Sequence, residues 1–211
     1  VREFVLRGAD VTVIPTASSL RFVVLPTWEA ISRNPVPVDL FDGVAEVRHV
    51  ALGQQADLIV VAPATAHTVA SLAGGFAGDL LGTTVLASRA PVVIAPAMHT
   101  EMWENAAVTS NIDILRARGV IIVGPESGAL TGEDTGVGRM SEPRTIVEAA
   151  LAAVAPQTLQ GRRVLISAGG TREPVDPVRY LGNRSTGAMG VALAEQALAR
   201  GAEVTVVHAH L

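Results

Sequence analysis

One unbroken apolar run, Pro91-Val92-Val93-Ile94-Ala95, limits the fold of this chain more than any other stretch. A strand with one wet face alternates apolar and polar residues. A run with no polar member is buried on both faces, as in a parallel sheet between two helical layers. Asp57-Leu58-Ile59-Val60-Val61-Ala62 repeats the pattern after its first residue, and Val120 to Val123 repeats it again. Parallel strands need crossover helices. Ala62-Pro63-Ala64-Thr65-Ala66-His67-Thr68 opens one, Asp79-Leu80-Leu81 starts another, and Asn105 to Arg118 is amphipathic and closed by Gly119. The expected class is α/β, with a doubly wound parallel sheet.

Ligands of such sheets sit just past the carboxyl ends of the strands. There stands Pro96-Ala97-Met98-His99-Thr100-Glu101-Met102-Trp103, with two of the four Met and one of the two Trp in a chain that is 3% aromatic. Met often fills gaps in cores, so a loop tucked inward is the plain reading. A pocket for a flat, polarisable ligand, with His99 as its hydrogen-bonding group, is the sharper one.

Composition narrows the classes. The chain has 211 residues, enough for one large domain or one and a half smaller ones, and is 49% hydrophobic. No apolar run approaches the ~20 residues of a membrane helix. A soluble protein with no membrane partner is therefore expected. The net charge is -4 and no Lys/Arg cluster occurs, which argues against nucleic acid. The absence of cysteine rules out disulfides and thiolate metal sites and fits a cytoplasmic location. The five His show no ligand spacing, so no metal is expected.

Val1, Phe4 and Val5 share a helical face that Gly8 ends, and Ala9 to Ile14 reads as a strand. A first strand and its turn are thus expected upstream of a start that is Val. Thr16 caps a helix carrying Leu20, Phe22 and Val23, and Thr27 to Ser32 forms another that stops before Asn34-Pro35. His49 stands in Val47-Arg48-His49-Val50-Ala51-Leu52, a setting where a lone His is more often structural. Gly124 to Gly138 reads as a long glycine-rich loop, a lid, ending in Gly138-Arg139-Met140-Ser141-Glu142-Pro143. A helix from Pro143 to about Val154 follows. Ala155 to Gly161 is the linker candidate. Beyond it a strand, Arg163 to Ser167, runs into Ala168-Gly169-Gly170-Thr171-Arg172-Glu173-Pro174-Val175-Asp176-Pro177-Val178-Arg179. Glycines there let backbone approach a ligand, and Arg172, Arg179 and Arg184 are placed to meet phosphates. Asn183-Arg184-Ser185-Thr186-Gly187-Ala188-Met189-Gly190 caps a helix from Val191 to Arg200, and Ala202 to Val207 is a last strand. The Gly-x-Gly-x-x-Gly fingerprint is absent, so NAD is not indicated.

The Pro96–Trp103 stretch resembles the Pro-x-Met-Asn-x-x-Met-Trp motif of the flavoproteins that decarboxylate C-terminal or pantothenoyl cysteine, with His99 in place of Asn. The His-Val-x-Leu at His49, the Ala-Pro strand end and Gly-Arg-Met-x-Glu-Pro at the flap match the same family. Residues 168–190 resemble the start of phosphopantothenate–cysteine ligases, with Ala188 where Lys is usual. The two occur in the order found in bifunctional bacterial coenzyme A biosynthesis proteins.

The resemblance implies a flavodoxin-like sheet over 1–156, lacking its first strand, and the opening of a Rossmann-like ligase domain over 157–211. It implies FMN, with Thr16, Ser19, Phe22, Ala62, Thr65, Met98 and His99 beside it. It implies a substrate, 4'-phosphopantothenoylcysteine, held by His99, Met102, Arg139 and Met140, with His49 as catalytic base or orienter. The implied chemistry is hydride removal to a thioaldehyde, loss of CO2 to an enethiol, then reduction to 4'-phosphopantetheine. The family's flap Cys is missing near Thr131, leaving Glu133 and Asp134 as proton-donor candidates. The ligase half implies CTP with Mg2+, 4'-phosphopantothenate and cysteine, with Asn183 holding the acyl-cytidylate and further residues beyond Leu211. Sites between subunits imply a homo-oligomer, a trimer or a multiple of one. A prenyl-FMN-forming enzyme and a non-catalytic regulatory binding subunit stay open as alternatives.

Overall fold

The computed structural model describes residues 1–38, 48–130, 132 and 134–208. The chain divides into two compact units, Val1–Val154 and Ala155–Leu211.

The first unit opens with helix α1 (Arg2–Leu6), a 3₁₀ turn (Ser19–Arg21), α2 (Leu25–Ser32) and α3 (Arg48–Gln55). Strand β1 (Ile59–Ala64), α4 (Ala66–Gly74), α5 (Leu80–Ala87) and β2 (Val92–Pro96) follow. Next come α6 (Thr100–Trp103), α7 (Ala106–Ala117), β3 (Ile121–Ile122), β4 (Glu126–Ala129), β5 (Thr135–Arg139) and α8 (Pro143–Ala153). The main sheet has the order β1-β2-β3, all parallel, with Ile59 opposite Val92 and Val93 opposite Ile121.

The all-apolar β2 is buried on both faces because its alternate residues feed two cores. Ile94 joins Val61, Val69, Ile112 and Leu115 under α4 and α7. Val93 and Ala95 join Val123, Ile146 and Ala150 under α8, with Phe4 of α1 packed alongside. Helices on both faces of a parallel sheet make the unit doubly wound. Local chemistry sets the helix starts. Asp79 Oδ1 accepts from Gly82 N–H at 2.7 Å, and Asn105 Oδ1 accepts from Ala107 N–H at 2.9 Å. Each satisfies a first-turn donor that the helix itself cannot.

Three segments differ from expectation. Ala9 to Ile14 carries no strand, because no described strand lies beside it to complete a ladder; Asn34 Nδ2 instead donates to Asp10 Oδ1 at 2.6 Å and to the Val11 carbonyl at 3.1 Å. The helix expected from Thr16 is a single 3₁₀ turn. There Ser19 N–H donates to Thr16 Oγ1 at 3.2 Å, and Ser19 Oγ donates to the Thr16 carbonyl at 2.7 Å. The glycine-rich lid is not a structureless loop: β4 and β5 pair antiparallel, with Gly128 opposite Gly136 and Ala129 opposite Thr135.

In the second unit β6 (Arg163–Ala168) and β9 (Glu203–His208) pair in parallel, with α9 (Ala188–Ala199) as their crossover. Gly190 permits that packing, since a Cβ there would stand 2.5 Å from Ala168 Cβ. The segment expected as an open loop holds a second hairpin, β7 (Arg172–Pro174) with β8 (Tyr180–Gly182). Among the described residues no helix is long and apolar enough to cross a membrane.

Candidate active site

Two adjacent parallel strands end together, and their continuations make the site. Ala64 pairs with Pro96, and Ala97 N–H donates to the Ala64 carbonyl at 3.0 Å, so the loops after β1 and β2 leave side by side. Thr65 caps α4, its Oγ1 accepting from Thr68 N–H at 3.3 Å and lying 3.1 Å from Thr68 Oγ1. The helix thus starts at Ala66, four residues later than expected, and Ala62 and Thr65 stay exposed. On the β2 side His99 precedes α6, and its carbonyl accepts from both Met102 and Trp103 N–H at 3.0 Å. Met98 and Trp103 pack against the α4–α7 core, as the plain reading of the loop would have it, while Met102 is 46% exposed.

The glycine hairpin lies on this loop. Met98 N–H donates to the Gly138 carbonyl at 3.0 Å. A Cβ on Gly138 would stand 2.0 Å from the Met98 carbonyl oxygen, and one on Gly136 would stand 2.2 Å from Thr100 Oγ1. The glycines are there for close approach of backbone to backbone. The hairpin brings Asp134 Oδ2 to 3.9 Å from His99 Nδ1. Arg139 pairs with Glu142 and runs past Gly128, so its guanidinium is held at the hairpin's foot. Met140 packs on the α8 core.

Thr65, Met98, His99, Met102, Asp134 and Arg139 therefore belong to one carboxyl-edge region. His49 lies elsewhere in the unit, half-buried on α3, which packs on α5. Thr16 and Ser19 form the 3₁₀ cap described above, and Phe22 beside it is 89% exposed. Glu133, and Thr131 of the flap, lie outside the described residues. The sequence announced one of the two side-chain contacts here and not the other. The His99–Asp134 approach depends on hairpin register, whereas Arg139–Glu142 is a readable i,i+3 pair.

In the second unit a cavity of about 410 Å³ is lined by Gly170, Arg172, Tyr180, Asn183, Arg184 and Ser185, among others. Asn183 Oδ1 accepts from Ser185 N–H at 3.1 Å, which turns the chain before α9. Arg172 stacks 4.8 Å from the Tyr180 ring centroid, a cation–π contact. The β7–β8 turn is fastened by Asp176. Its carboxyl is held below the usual value first by Val178 N–H, then by the Arg179 guanidinium and the Arg179 N–H. The depressed folded value means this contribution is present above the unfolded carboxyl range and fades as pH falls through the folded value. Asp176→Asn should speed hydrogen exchange at the Val178 and Arg179 amides at neutral pH and flatten its acid dependence. Unchanged exchange would show that the turn holds without the carboxylate. Among the described residues no cluster of His, Asp and Glu is arranged to hold a metal.

Comparison with known proteins fits this geometry. The family described as Flavoprotein matches residues 1–155, and that described as DNA/pantothenate metabolism flavoprotein C-terminal domain matches 159–211. The coenzyme A biosynthesis bifunctional protein CoaBC of Mycobacterium tuberculosis (strain ATCC 25618 / H37Rv) is 50% identical over 100% of this chain and 51% of its own length. That of Escherichia coli (strain K12) is 45% identical over 98% of this chain and 52% of its own. The chain thus spans about half the length of these relatives. Among solved structures, the FMN-dependent cysteine decarboxylase SpaF aligns with a TM-score of 0.60 at 34% identity, over 72% of this chain and 86% of its own. A PPC decarboxylase variant complexed with pantothenoylaminoethenethiol aligns with a TM-score of 0.57 at 29% identity, over 70% and 85%. The first unit has the flavodoxin-like fold of these neighbours.

Proposed function

The chain belongs to the flavoprotein family, and from that premise we propose that residues 1–156 bind FMN and decarboxylate 4'-phosphopantothenoylcysteine to 4'-phosphopantetheine. The observation that carries this is the single carboxyl edge where the Thr65 loop and the Met98–His99 loop leave side by side, with the glycine hairpin seated on the Met98 loop. The residues present fit a flavin. Half-buried Met98 and exposed Met102 offer polarisable apolar surface. The Thr65 hydroxyl at the start of α4 offers polar contact for a flavin edge or a phosphate. Bound FMN would supply the exchange of an electron pair with the thiol-bearing carbon.

The chain's own residues hold and orient. Thr65 and the β1 end, with Thr16, Ser19 and Phe22, flank the cofactor. His99, Met102 and Met140 contact the substrate, and Arg139 anchors its anionic group, exchanging Glu142 for it, since a guanidinium fork suits either partner. His49 acts as base or orienter from a neighbouring subunit in a trimer or a multiple of one. Residues 157–211 open a ligase domain that, with its further segments, joins 4'-phosphopantothenate to cysteine using CTP and Mg2+. Its cavity supports this reading with Arg172 and Arg184 for phosphate and Asn183 Nδ2 for the acyl-cytidylate, Oδ1 being engaged in the turn. The match over 159–211 weighs against a prenyl-FMN-forming enzyme, which is not expected to carry such a segment.

The test has two steps. The purified protein supplied with FMN should show the spectrum of bound flavin, with weak binding expected where the phosphate turn is missing, and should release CO2 from 4'-phosphopantothenoylcysteine. A colourless protein to which added FMN does not bind would sink the proposal. So would an FMN-loaded protein inert toward the cysteine substrate.

A further inference from the structure

His99 and Asp134 face each other at the carboxyl edge, Nδ1 to Oδ2 at 3.9 Å. Backbone, not chance, puts them there. The Asp134 carbonyl accepts from Leu130 N–H at 2.8 Å, closing the ladder one step past the Ala129–Thr135 pair. Strand β5 is fastened to the Met98 loop through Gly138. His99 is fixed in turn by the two N–H groups of Met102 and Trp103 on its carbonyl. Only side-chain torsions are left to adjust. The gap is about 1 Å beyond hydrogen-bond range, which a rotamer change of either side chain covers.

We propose that Asp134 is a positioning residue for His99: the hairpin carboxylate takes the Nδ1–H hydrogen bond, so the neutral ring turns Nε2 toward the crevice as an acceptor. A neutral imidazole carries one N–H, and the partner of one nitrogen decides which. A carboxylate only accepts, so it selects Nδ1–H. The same device orients histidines in catalytic triads and at metal sites.

The consequence is chemical. Nε2 meets a substrate group that brings a proton, of the thiol or amide class. Taking the proton of a thiol leaves a thiolate and an imidazolium, whose charge the carboxylate balances; the proton returns by the same nitrogen. Glu101 on α6 and Glu104 at its end are exposed, and the nearby Arg139 is occupied by Glu142. The substrate side of this inference rests on the proposed function, whereas the tautomer does not.

The experiment uses the 211-residue chain labelled with [15N]histidine, without FMN. The His99 ring resonances are assigned by their loss in His99→Gln. Expected is a dominant Nδ1–H tautomer in the unmodified protein at pH 8, a shift toward Nε2–H in Asp134→Ala, and recovery in Asp134→Glu. In the FMN-loaded protein, Asp134→Ala should lower kcat roughly ten- to a hundredfold, the usual cost of removing an orienting partner. It should add nothing to the loss seen in His99→Gln. Ring resonances unchanged by Asp134→Ala would overturn the proposal, as would losses that multiply in the double variant. A chain that never takes up FMN would defeat the proposed function and leave the tautomer result standing on its own.

Discussion

On the proposed function, replacing His49 with Asn should leave FMN binding intact and lower decarboxylation of 4'-phosphopantothenoylcysteine by roughly 10²- to 10⁴-fold, the usual worth of a positioned acid–base group. His49 is the second residue of α3, and that helix is locked against α5: a Cβ on Gly53 would stand 2.7 Å from the Thr84 carbonyl oxygen and 3.0 Å from Ala87 Cβ. So close a packing cannot slide, and it fixes the start of α3 without needing the imidazole. The substitution should therefore cost chemistry and not the fold. Within one chain α3 packs on α5, while the Met98 loop packs on the hairpin. A site shared between subunits predicts complementation: co-expressed His49→Asn and His99→Gln chains should recover about one working site in four at random 1:1 mixing, since each cyclic interface pairs one chain's α3 with the next chain's loop. Undiminished activity in His49→Asn would return that residue to a structural role. Strictly dead mixtures of two individually dead variants would refute the shared site.

What the sequence made legible were the features carried by side-chain pattern. The unbroken run at 91–95 announced a strand buried on both faces, and Ile94 and Val93 indeed serve two different cores. Asn105 and Asp79 announced helix starts through their capping oxygens, and both oxygens do cap. The β4–β5 hairpin was hidden for a physical reason. Glycine has no side chain to show period-2 alternation and is a poor strand former. In β4–β5 the ladder pairs Gly128 with Gly136, so the strands are made by backbone alone and stabilised by what they lie against. The error at Ala9–Ile14 ran the other way. Its pattern suits a strand, but a strand exists only beside another, and no described strand is its neighbour.

The site divides along the same line. The placement of Thr65, Met98 and His99 at one carboxyl edge was legible because each follows the end of a strand in a parallel sheet. The approach of Asp134 to His99 was not. It is fixed by the register of a hairpin whose glycines give no register signal. The plain reading of the Met/Trp loop holds for part of its eight residues. Met98 and Trp103 pack on the core while Met102 stands out from it. One side of the loop is anchored and the other is presented to solvent.

The dependence of the lid on backbone contact gives a prediction that separates two glycines of one hairpin. Gly138→Ala should detach the hairpin from the Met98 loop, whereas Gly128→Ala should be tolerated. Neither position has the positive φ that penalises alanine, so the difference is one of space alone. At Gly128 the added methyl would meet Arg139 Cδ at 3.1 Å, the middle of a flexible side chain that can swing aside. At Gly138 it would meet the Met98 carbonyl oxygen at 2.0 Å, and backbone there is held by β2 and α6. Overpacking of this kind costs roughly 1–3 kcal/mol, and parting the strands forfeits the Met98 N–H bond to Gly138, worth about another 1 kcal/mol. Urea unfolding should show that loss for Gly138→Ala and less than about 0.5 kcal/mol for Gly128→Ala, the ordinary range of a surface change. Hydrogen exchange should locate it: the Met98 amide should lose protection in Gly138→Ala and keep it in Gly128→Ala. Decarboxylation should fall with the detached lid, while the β1–β2 core keeps its protection. Equal protection of Met98 in both variants would mean that the lid is held by side chains after all, and that the glycines on its inner face serve only the turn.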